Sequence, residues 1–412
     1  PFNLYLINAV AMARGLKVEP RVALGSEIVQ VLDQVYGEGQ SQMGDILADV
    51  TPSEEQEESV EELMDMASGA PVIRLVNLII QRAVDARASD IHIEPFEDQL
   101  KVRYRIDGVL QEGEAPPVQL SPAVISRVKI MARLNIAERR LPQDGRIELR
   151  VLGKDLDMRV STVPTMHGES VVLRLLNRES ISFDFASLGF TDDCRQQLNQ
   201  LLAIPNGMIL VTGPTGSGKT TTLYTALHQL NTPERKLITV EDPVEYQLAG
   251  INQIQVQSSI GLTFANALRS IVRQDPDVIM VGEMRDLETA RICVQSALTG
   301  HLVLSTLHTN DAVSSITRLL EMGVEDYLLT STLNAVLAQR LVRILCPHCR
   351  EPYEVLPELE RELGLSRFAT GSGPLQLWRA AGCSHCQGTG YYGRLVIHEL
   401  LQMNDDIRRL AL

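Results

Sequence analysis

The stretch that most constrains how this chain can fold is "MILVTGPTGSGKTTTLYTAL", which begins at Met208. In it an apolar run, a loop with the pattern G-x-x-x-x-G-K-T and a helical pattern follow one another directly. Glycine lets successive backbone N–H groups curl around a phosphate, and the helix that follows adds the positive end of its dipole. The stretch therefore predicts a strand, a phosphate-binding loop and a helix, with the fixed points Gly213, Gly218, Lys219 and Thr220.

Each residue type in that loop has an expected task. Lys219 should reach the β- and γ-phosphates of a nucleoside triphosphate, and the Thr220 hydroxyl should bind Mg²⁺. ATP and Mg²⁺ are therefore the expected ligands. The residues expected to shape the loop or to contact the nucleotide beside them are Pro214, Thr215, Gly216, Ser217 and Thr221.

The order of apolar and helical segments around this loop predicts an α/β architecture. Short apolar runs, "GMILVTG", "KLITVED", "DVIMVGE" and "HLVLSTLH", are separated by stretches with helical spacing. Such alternation is typical of a parallel sheet covered by helices. We assign residues 179–345 to this domain.

The preceding part of the chain predicts a smaller α+β domain. Apolar residues recur at helical spacing in "PVIRLVNLIIQRAVDA", and "QLKVRYRIDGVLQEG" alternates about Asp107-Gly108, the pattern of a β-hairpin. We assign residues 70–178 to a domain with an antiparallel sheet. Residues 1–69 are expected to form a partial helical region and an acidic linker, which passes into a helix near Val60.

Length and charge limit the classes of function. A chain of 412 residues exceeds the size at which single cores stop growing, so we expect several domains. The net charge of -14 argues against broad nucleic-acid binding, which depends on clustered Lys and Arg. No apolar run reaches the roughly 18 to 20 residues that span a bilayer. Because the sequence starts at Pro1 and stops within a helical pattern over 399–412, we expect a piece of a longer chain.

Further strand ends are expected to meet the phosphate-binding loop. "DVIMVGE" ends in Glu283 and "ITVEDPVEY" carries Glu241 and Asp242, and parallel strands present their carboxyl ends at one edge. A carboxylate there can hold Mg²⁺ or activate the attacking water, and the sequence leaves open whether Glu241 or Glu283 is the base. His308 closes the strand that His301 opens, where a sensor of the γ-phosphate is expected.

Phosphoryl transfer also requires positive charge against the transition state, often an arginine supplied by a neighbour. Arg103 and Arg105 are expected on the solvated surface of the antiparallel sheet, and Arg146 is left unassigned. The candidates near the catalytic strand, with one more distant along the chain, are Arg269, Arg273, Arg285 and Arg318.

Four of the six cysteines form two C-x-x-C pairs, at Cys346, Cys349, Cys383 and Cys386. No secretory signal is present, so a metal is favoured over disulfides, and four thiolates suit a closed, structural Zn²⁺ site. The acidic segment between the pairs argues against a nucleic-acid finger. His348 and His385, inside the pairs, are expected on the surface of a metal-binding subdomain over 346–398.

Several motifs resemble those of a known superfamily. "GPTGSGKTTTLY", "VEDPVEY", "RQDPDVIMVGEMRD" and "TGHLVLSTLHTND", in this order, resemble the secretion ATPases, which include type II secretion ATPases and type IV pilus motors. "RASDIHIEP", "YRIDG" and "LPQDGRI" resemble the amino-terminal half of the same family, so the likeness covers roughly residues 70 to 400. The resemblance implies a RecA-like motor domain and a PAS-like amino-terminal domain, assembled as a homo-hexamer with nucleotide between the two domains.

The resemblance also implies roles for individual residues. Glu241 and His308 match positions near the γ-phosphate, and Glu283 matches the Walker B position of the superfamily. Arg159 in "DMRVS" and Arg174 in "VVLRLL" match positions from which the amino-terminal domain reaches the nucleotide.

Type II secretion ATPases and pilus extension ATPases carry a tetracysteine subdomain, which retraction ATPases typically lack. The resemblance thus implies a cytoplasmic ATPase at the inner membrane of a bacterium that powers pseudopilus assembly and protein export. Its implied partners are a bitopic membrane protein bound to the amino-terminal region and a polytopic platform protein. The alternatives are a type IV pilus assembly ATPase, a nucleic-acid-dependent RecA-like motor and a nucleotide-regulated scaffold.

Overall fold

The computed structural model describes residues 42–48, 60–151, 154–177, 183–368 and 375–411. Within these ranges the chain forms two units, each built on its own large sheet, and a third, small sheet. Most of the predicted amino-terminal region, 1–41 and 49–59, lies outside the described residues. No helix in the described ranges combines the length and the apolar character needed to cross a membrane.

The first unit contains an antiparallel sheet, as predicted. Its strands are β1 (Asp90–Pro95), β2 (Leu100–Ile106), β3 (Val109–Gly113), β4 (Gln143–Val151), β5 (Lys154–Thr165) and β6 (Gly168–Asn177). They pair in the order β3-β2-β1-β6-β5-β4. Asp107 and Gly108 have φ of 49° and 86°, which makes them the two-residue turn expected between β2 and β3.

Helices of the first unit share one core with this sheet. They are α1 (Gln42–Ala48), α2 (Val60–Ser68), α3 (Ala70–Asp85) and α4 (Ser121–Met131). The predicted helical start at Val60 is confirmed. Leu75 and Ile79 on the apolar face of α3 pack in the same cluster as Val102 and Val160 of the sheet. Burial alternates along β2, as a strand with one covered face requires.

The second unit and the cysteine region contain the remaining described strands. These are β7 (Gly207–Thr212), β8 (Leu237–Glu241), β9 (Asn252–Gln255), β10 (Val278–Val281), β11 (Leu302–Leu307), β12 (Leu333–Leu345), β13 (Glu351–Glu354), β14 (Gln376–Arg379) and β15 (Tyr391–Gln402). Seven of them form a sheet in the order β15-β12-β7-β11-β10-β8-β9. All neighbours in it are parallel except β12 and β15, so the predicted parallel sheet is confirmed.

Helices cover both faces of this sheet. They are α5 (Asp192–Leu202), α6 (Lys219–Leu230), α7 (Phe264–Ile271), α8 (Leu287–Leu298), α9 (Ala312–Glu321) and α10 (Asp326–Thr332). In β7, Met208 and Leu210 enter the core shared with α7 to α10, whereas Ile209 and Val211 enter the core shared with α5 and α6. Burial on both faces explains why the strand is a continuous apolar run.

The cysteine region is joined to the large sheet more closely than the sequence suggested. The boundary proposed between residues 398 and 399 falls inside β15, which pairs with β12 from Arg394 to Gln402. Hydrogen bonding therefore places most of β15 in the large sheet, although it begins beside the second cysteine pair. Between the pairs lie α11 (Pro357–Leu363) and the small β13–β14 sheet, and α12 (Asp405–Ala411) is the helix expected near the end.

Candidate functional site

The loop between β7 and α6 has a conformation that its glycines permit. Gly213, Gly216 and Gly218 have φ of 147°, 78° and 87°, a region that other residues rarely adopt. A Cβ atom on Gly213 would lie 2.4 Å from the carbonyl oxygen of Gln339, so this position also lacks space for a side chain. The loop leads into the amino terminus of α6, where backbone N–H groups favour a phosphate.

Lys219 is buried at the start of α6. Its Nζ donates to the carbonyl oxygens of Gly213 at 2.8 Å and Pro214 at 3.1 Å. Burial lowers the pKa of this ammonium group, and the charge of Glu283 opposes that shift. An ammonium held by neutral carbonyls and shielded from water is well placed to attract a phosphate.

A cavity of about 430 Å³ lies beside this loop and between the two units. The loop and the carboxyl ends of β8, β10 and β11 line one side, and Ser89 and Leu175 of the first unit line the other. The predicted site residues that the structure brings together around it are Thr215, Gly216, Ser217, Gly218, Lys219, Thr220, Thr221, Arg174, Glu241, Asp242, Glu283 and His308. Gly213 and Pro214 form the start of the loop and contact Lys219.

Glu283 follows β10 and faces the cavity with 15% of its side chain exposed. Its Oε1 lies 2.5 Å from Nη2 of Arg285, and its Oε2 lies 3.4 Å from Nε2 of the half-exposed His308. The Glu283 carboxylate raises the pKa of Arg285 through a hydrogen bond and its charge. One carboxylate oxygen is thus engaged by Arg285, and the other is directed toward His308.

Glu241, at the end of β8, is in a different environment. Its Oε1 accepts hydrogen bonds from Thr239 Oγ1 at 2.6 Å and Gln253 Nε2 at 3.1 Å, and its Oε2 accepts one from the Tyr224 hydroxyl. Burial and the Glu241 charge raise the pKa of Tyr224 above its usual range. The buried carboxylate of Glu241 is therefore occupied by three donors, unlike that of Glu283.

Two arginines of the first unit reach toward the second. Arg159 on β5 donates to the carbonyl oxygen of Val244 at 2.8 Å and to Glu245 Oε1 at 3.2 Å. Both partners lie in the loop after β8. Arg174 on β6 lines the cavity while its Nε donates to Asp90 Oδ1 at 3.0 Å. Both lie at the boundary between the two sheets.

The other predicted arginines have varied surroundings. Arg285 contacts Glu283, as described above. Arg269 pairs with Glu288, and Arg273 donates to the Arg269 carbonyl oxygen at 2.6 Å. The remaining candidate, Arg318, pairs with an acidic residue of its own helix. Arg269, Arg273 and Arg318 do not line this cavity.

The remaining arginines of the antiparallel sheet bind neighbouring groups of the first unit. His301 lies at the far end of its strand from the cavity. Arg103 forms a bidentate pair with Glu94, Arg105 bonds the Gly108 carbonyl oxygen, and Arg146 pairs with Asp157. His301 lies before β11, at the opposite end from His308, and its Nδ1 is 2.8 Å from the Ser296 carbonyl oxygen.

Sequence reasoning missed Arg394, which lines the cavity from β15. Its Nε lies 3.9 Å from Asp107 Oδ1 in the β2–β3 turn, and the neighbouring Gly393 N–H donates to Asp107 Oδ2 at 3.0 Å. The segment "YYGRLVIHEL" carries no nucleotide motif. Only the pairing of β15 with β12 indicates that this arginine reaches the site.

The four predicted metal-binding cysteines lie together. Their Sγ atoms are all within 4.8 Å of one another. The sulfurs of Cys346 and Cys383 are 3.9 Å apart, those of Cys349 and Cys386 3.7 Å, and those of Cys383 and Cys386 3.8 Å. A tetrahedron with zinc–sulfur bonds of about 2.3 Å has edges of about 3.8 Å. All four residues are free cysteines, and this donor set fits one zinc ion.

Backbone N–H groups donate hydrogen bonds to sulfurs of this cluster. Gly382 N–H donates to Cys349 Sγ at 3.2 Å, and Gly390 N–H donates to Cys386 Sγ at 3.1 Å. Burial raises the pKa of the Cys349 thiol to about 12. Burial also raises the pKa of the Cys386 thiol, but the N–H donors of Cys383 and Gly390, together with the neighbouring thiols of Cys349 and Cys383, lower it to about 6. A thiolate is the form that binds a metal.

The two histidines inside the cysteine pairs contact each other rather than join the sulfur cluster. The rings of His348 and His385 lie 4.2 Å apart, and His385 stacks on Tyr392 at 4.5 Å. The guanidinium of Arg87, from the first unit, lies 3.5 Å from the centre of the Tyr392 ring. Both histidines are exposed, as expected, and the Tyr392 ring on which His385 stacks also contacts the first unit.

Comparison with known proteins identifies a family. The family described as "Type II/IV secretion system protein" matches residues 65–412. The type II secretion system protein E of Xanthomonas campestris pv. campestris is 63% identical over 412 residues, which cover all of this chain and 72% of that protein. The type II secretion system ATPase E of Vibrio cholerae is 51% identical over 93% of this chain and 76% of its own length. The type IV pilus assembly ATPase PilB of Myxococcus xanthus is 47% identical over all of this chain and 74% of its own length.

Solved structures agree with these relatives. The pilus retraction motor PilT with bound ADP aligns with a TM-score of 0.55 at 28% identity, covering 82% of this chain and 85% of that one. The ATPase DotB of Legionella pneumophila, at 20% identity and a TM-score of 0.57, covers 87% of this chain and 85% of its own and shares the fold. The resemblance drawn from the motifs is confirmed, and the chain belongs to the type II/IV secretion system protein family, as one of its type II secretion ATPases.

Proposed function

We propose that this ATPase hydrolyses ATP in the cavity between its two units and uses the resulting motion to power pseudopilus assembly and protein export. The observation that carries the proposal is the convergence on one cavity of the phosphate-binding loop, a strand-end glutamate and an arginine of the other unit. A site shared between two units couples their relative position to the state of the nucleotide.

The loop Gly213–Thr221 supplies the phosphate-binding part of this proposal. Its backbone N–H groups and the amino terminus of α6 hold the phosphates, and Lys219 exchanges its bonds to the loop carbonyls for bonds to phosphate oxygens. Thr220 lines the cavity, and its hydroxyl is the proposed protein ligand of Mg²⁺. When bound, Mg²⁺ neutralises charge that develops on the phosphates.

Glu283 is the proposed general base. Its Oε2 is free of the Arg285 bond and can accept a proton from the water that attacks the γ-phosphorus. Glu241 is proposed instead to position β8, because three donors already occupy its carboxylate. His308, 3.4 Å from Glu283, is proposed to contact the γ-phosphate or the attacking water.

The arginines divide into two groups in this proposal. Arg159 and Arg174 act within one chain, with Arg174 toward the nucleotide and Arg159 holding the loop after β8 against the first unit. Arg269, Arg273 and Arg318 lie outside the cavity. We therefore propose that they supply positive charge to the nucleotide site of a neighbouring subunit in a homo-hexamer.

The prediction of an α/β protein with a parallel sheet is confirmed. We extend it by assigning the two units to domain types. We propose a RecA-like motor domain over 179–345 and a PAS-like domain over 70–178. We also propose that Cys346, Cys349, Cys383 and Cys386 bind one structural Zn²⁺. Bound zinc would join the two cysteine pairs and thereby fix the start of β15 next to the end of β12.

The proposed setting is the cytoplasmic face of a bacterial inner membrane. The proposed partners are a bitopic protein that binds the amino-terminal region and a polytopic platform protein, which converts domain motion into pseudopilus growth. The PilB relative supports pilus assembly as the alternative function, because PilB is 47% identical to this chain. Net charge of -14 does not favour the nucleic-acid motor.

Hydrolysis measurements test the proposal. Purified, assembled protein should release phosphate from ATP in the presence of Mg²⁺, and Lys219→Ala should abolish this activity. Single-stranded DNA should leave the rate unchanged. Stimulation by DNA would support the nucleic-acid motor, and a folded, assembled parent without turnover would support the nucleotide-regulated scaffold.

A further inference from the structure

Gln339 is a buried polar residue that the proposed chemistry does not use. It lies on β12, is 2% exposed, and is not among the residues that line the nucleotide cavity. An amide buried to this degree is costly unless its donor and acceptor are both satisfied. The hydrogen-bond partners of Gln339 therefore show why a polar side chain is buried at this position.

Both ends of the Gln339 amide bind the phosphate-binding loop or the helix that follows it. Nε2 donates to the Ser217 carbonyl oxygen at 2.7 Å, and Oε1 accepts from the Thr222 hydroxyl at 2.9 Å. Because a carbonyl oxygen only accepts hydrogen bonds, the nitrogen must face Ser217, which fixes the orientation of the amide.

The bond to Ser217 determines where the next N–H group points. In a trans peptide the C=O and the N–H point in opposite directions, so turning the Ser217 carbonyl toward Gln339 turns the Gly218 N–H away from it. Gly218 lines the cavity and Gln339 does not, so a Gly218 N–H turned away from Gln339 is available to a phosphate in the cavity. Gly218 also has a φ of 87°, a backbone conformation that glycine adopts readily.

We propose that Gln339 is a positioning residue, which holds the backbone of the phosphate-binding loop in the shape that binds the nucleotide phosphates. The inference rests on the proposed ATPase function. It also connects two regions that are distant in sequence, because β12 ends at Leu345, immediately before Cys346 of the cysteine cluster. The strand that leads into the cluster is thus the strand that holds the loop.

Nucleotide binding by matched variants tests this proposal. Gln339→Met keeps the length of the side chain and removes both bonds, and Thr222→Val removes one of them. Loss of the hydrogen bonds that hold the loop should weaken ADP binding roughly five- to tenfold for Gln339→Met, and roughly threefold for Thr222→Val. The KM for ATP should rise in parallel, while kcat should stay within roughly twofold of the parent value.

Asn334→Leu is the matched control. Asn334 lies on the same strand and donates to the Asn206 carbonyl oxygen at 2.8 Å, away from the loop. This variant should lose thermal stability and keep the parent affinity for ADP, so a general loss of stability is separated from a loss of loop geometry.

The outcomes separate this inference from the proposed function. A parent protein that does not bind ADP contradicts the proposed function itself. A parent that binds ADP, together with a folded Gln339→Met variant of equal affinity, overturns only the role of Gln339. If Gln339→Met does not fold, unchanged ADP affinity in Thr222→Val overturns that role instead.

Discussion

At the scale of single residues, hydrogen-bond donors distinguish the two candidate bases. Glu241 and Glu283 both end parallel strands at the same edge of the sheet, but Glu241 is enclosed by Thr239, Gln253 and Tyr224. Both oxygens of the Glu241 carboxylate already accept hydrogen bonds from these side chains, so they are less accessible to an attacking water. Glu283 retains an oxygen directed toward the cavity and His308.

The role of Tyr224 follows from this arrangement. Tyr224→Phe removes a donor from the buried Glu241 carboxylate, so the free energy of unfolding should fall by about 1.5–3 kcal/mol. Denaturant unfolding measures the change. Tyr104→Phe is the control, because the buried Tyr104 hydroxyl has no hydrogen-bond partner among the described residues, and its removal should cost little stability. Equal effects of the two substitutions would contradict the structural role of the Tyr224–Glu241 bond.

The residues of the loop could be predicted because their pattern is local in sequence. Lys219 and Thr220 follow directly from G-x-x-x-x-G-K-T between a strand and a helix. Arg394 and Gln339 could not be predicted in this way, since sheet pairing between distant segments brings them to the site. The donors around Glu241 likewise come from three separate segments, so the sequence left the choice of base open.

At the scale of elements, β15 joins the cysteine cluster to the catalytic sheet. It begins five residues after Cys386, contributes Arg394 to the nucleotide cavity and pairs along most of its length with β12. The strand is the last one in the sheet and has mixed burial, so it lacks the continuous apolar run that revealed β7 and β11. This difference explains why the sequence suggested a boundary inside it.

Zinc removal should therefore affect both stability and catalysis. The parent should contain one zinc per chain by elemental analysis, and Cys349→Ser should lose the metal, lower the Tm and reduce ATP turnover. The reduction in turnover is expected because a bound metal would fix the start of β15 and hence Arg394. Cys194→Ala, at a buried cysteine outside the cluster, should retain the zinc. A metal-free parent with full stability would contradict the zinc assignment.

At the scale of the whole molecule, the two units meet around the nucleotide cavity. Arg159 bonds Val244 and Glu245 of the second unit, and Asp107 of the first unit bonds Gly393. The stack of Arg87 on Tyr392 adds a contact to the cysteine region. Because these contacts include hydrogen bonds and an ion pair to the loop after β8, a rearrangement of that loop can change how the units sit against each other.

Arg159→Ala tests this coupling. The Arg159–Glu245 pair is partly exposed, so its loss should lower the free energy of unfolding by less than about 1 kcal/mol. ATP turnover of the assembled hexamer should fall by roughly tenfold or more, because the loop after β8 loses its contact with the first unit. Arg103→Ala removes a comparable ion pair from the same unit and should leave turnover unchanged. Unchanged turnover in the Arg159→Ala hexamer would contradict interdomain catalysis.

The central claim is that Glu283 activates water for ATP hydrolysis in the cavity between the two units. The most direct measurement is the steady-state rate of ATP hydrolysis by assembled parent and Glu283→Gln protein, with ADP affinity measured on the same samples. The account predicts a fall in kcat of roughly 10²- to 10⁴-fold with ADP affinity close to that of the parent. A Glu283→Gln protein that hydrolyses ATP at the parent rate would contradict it.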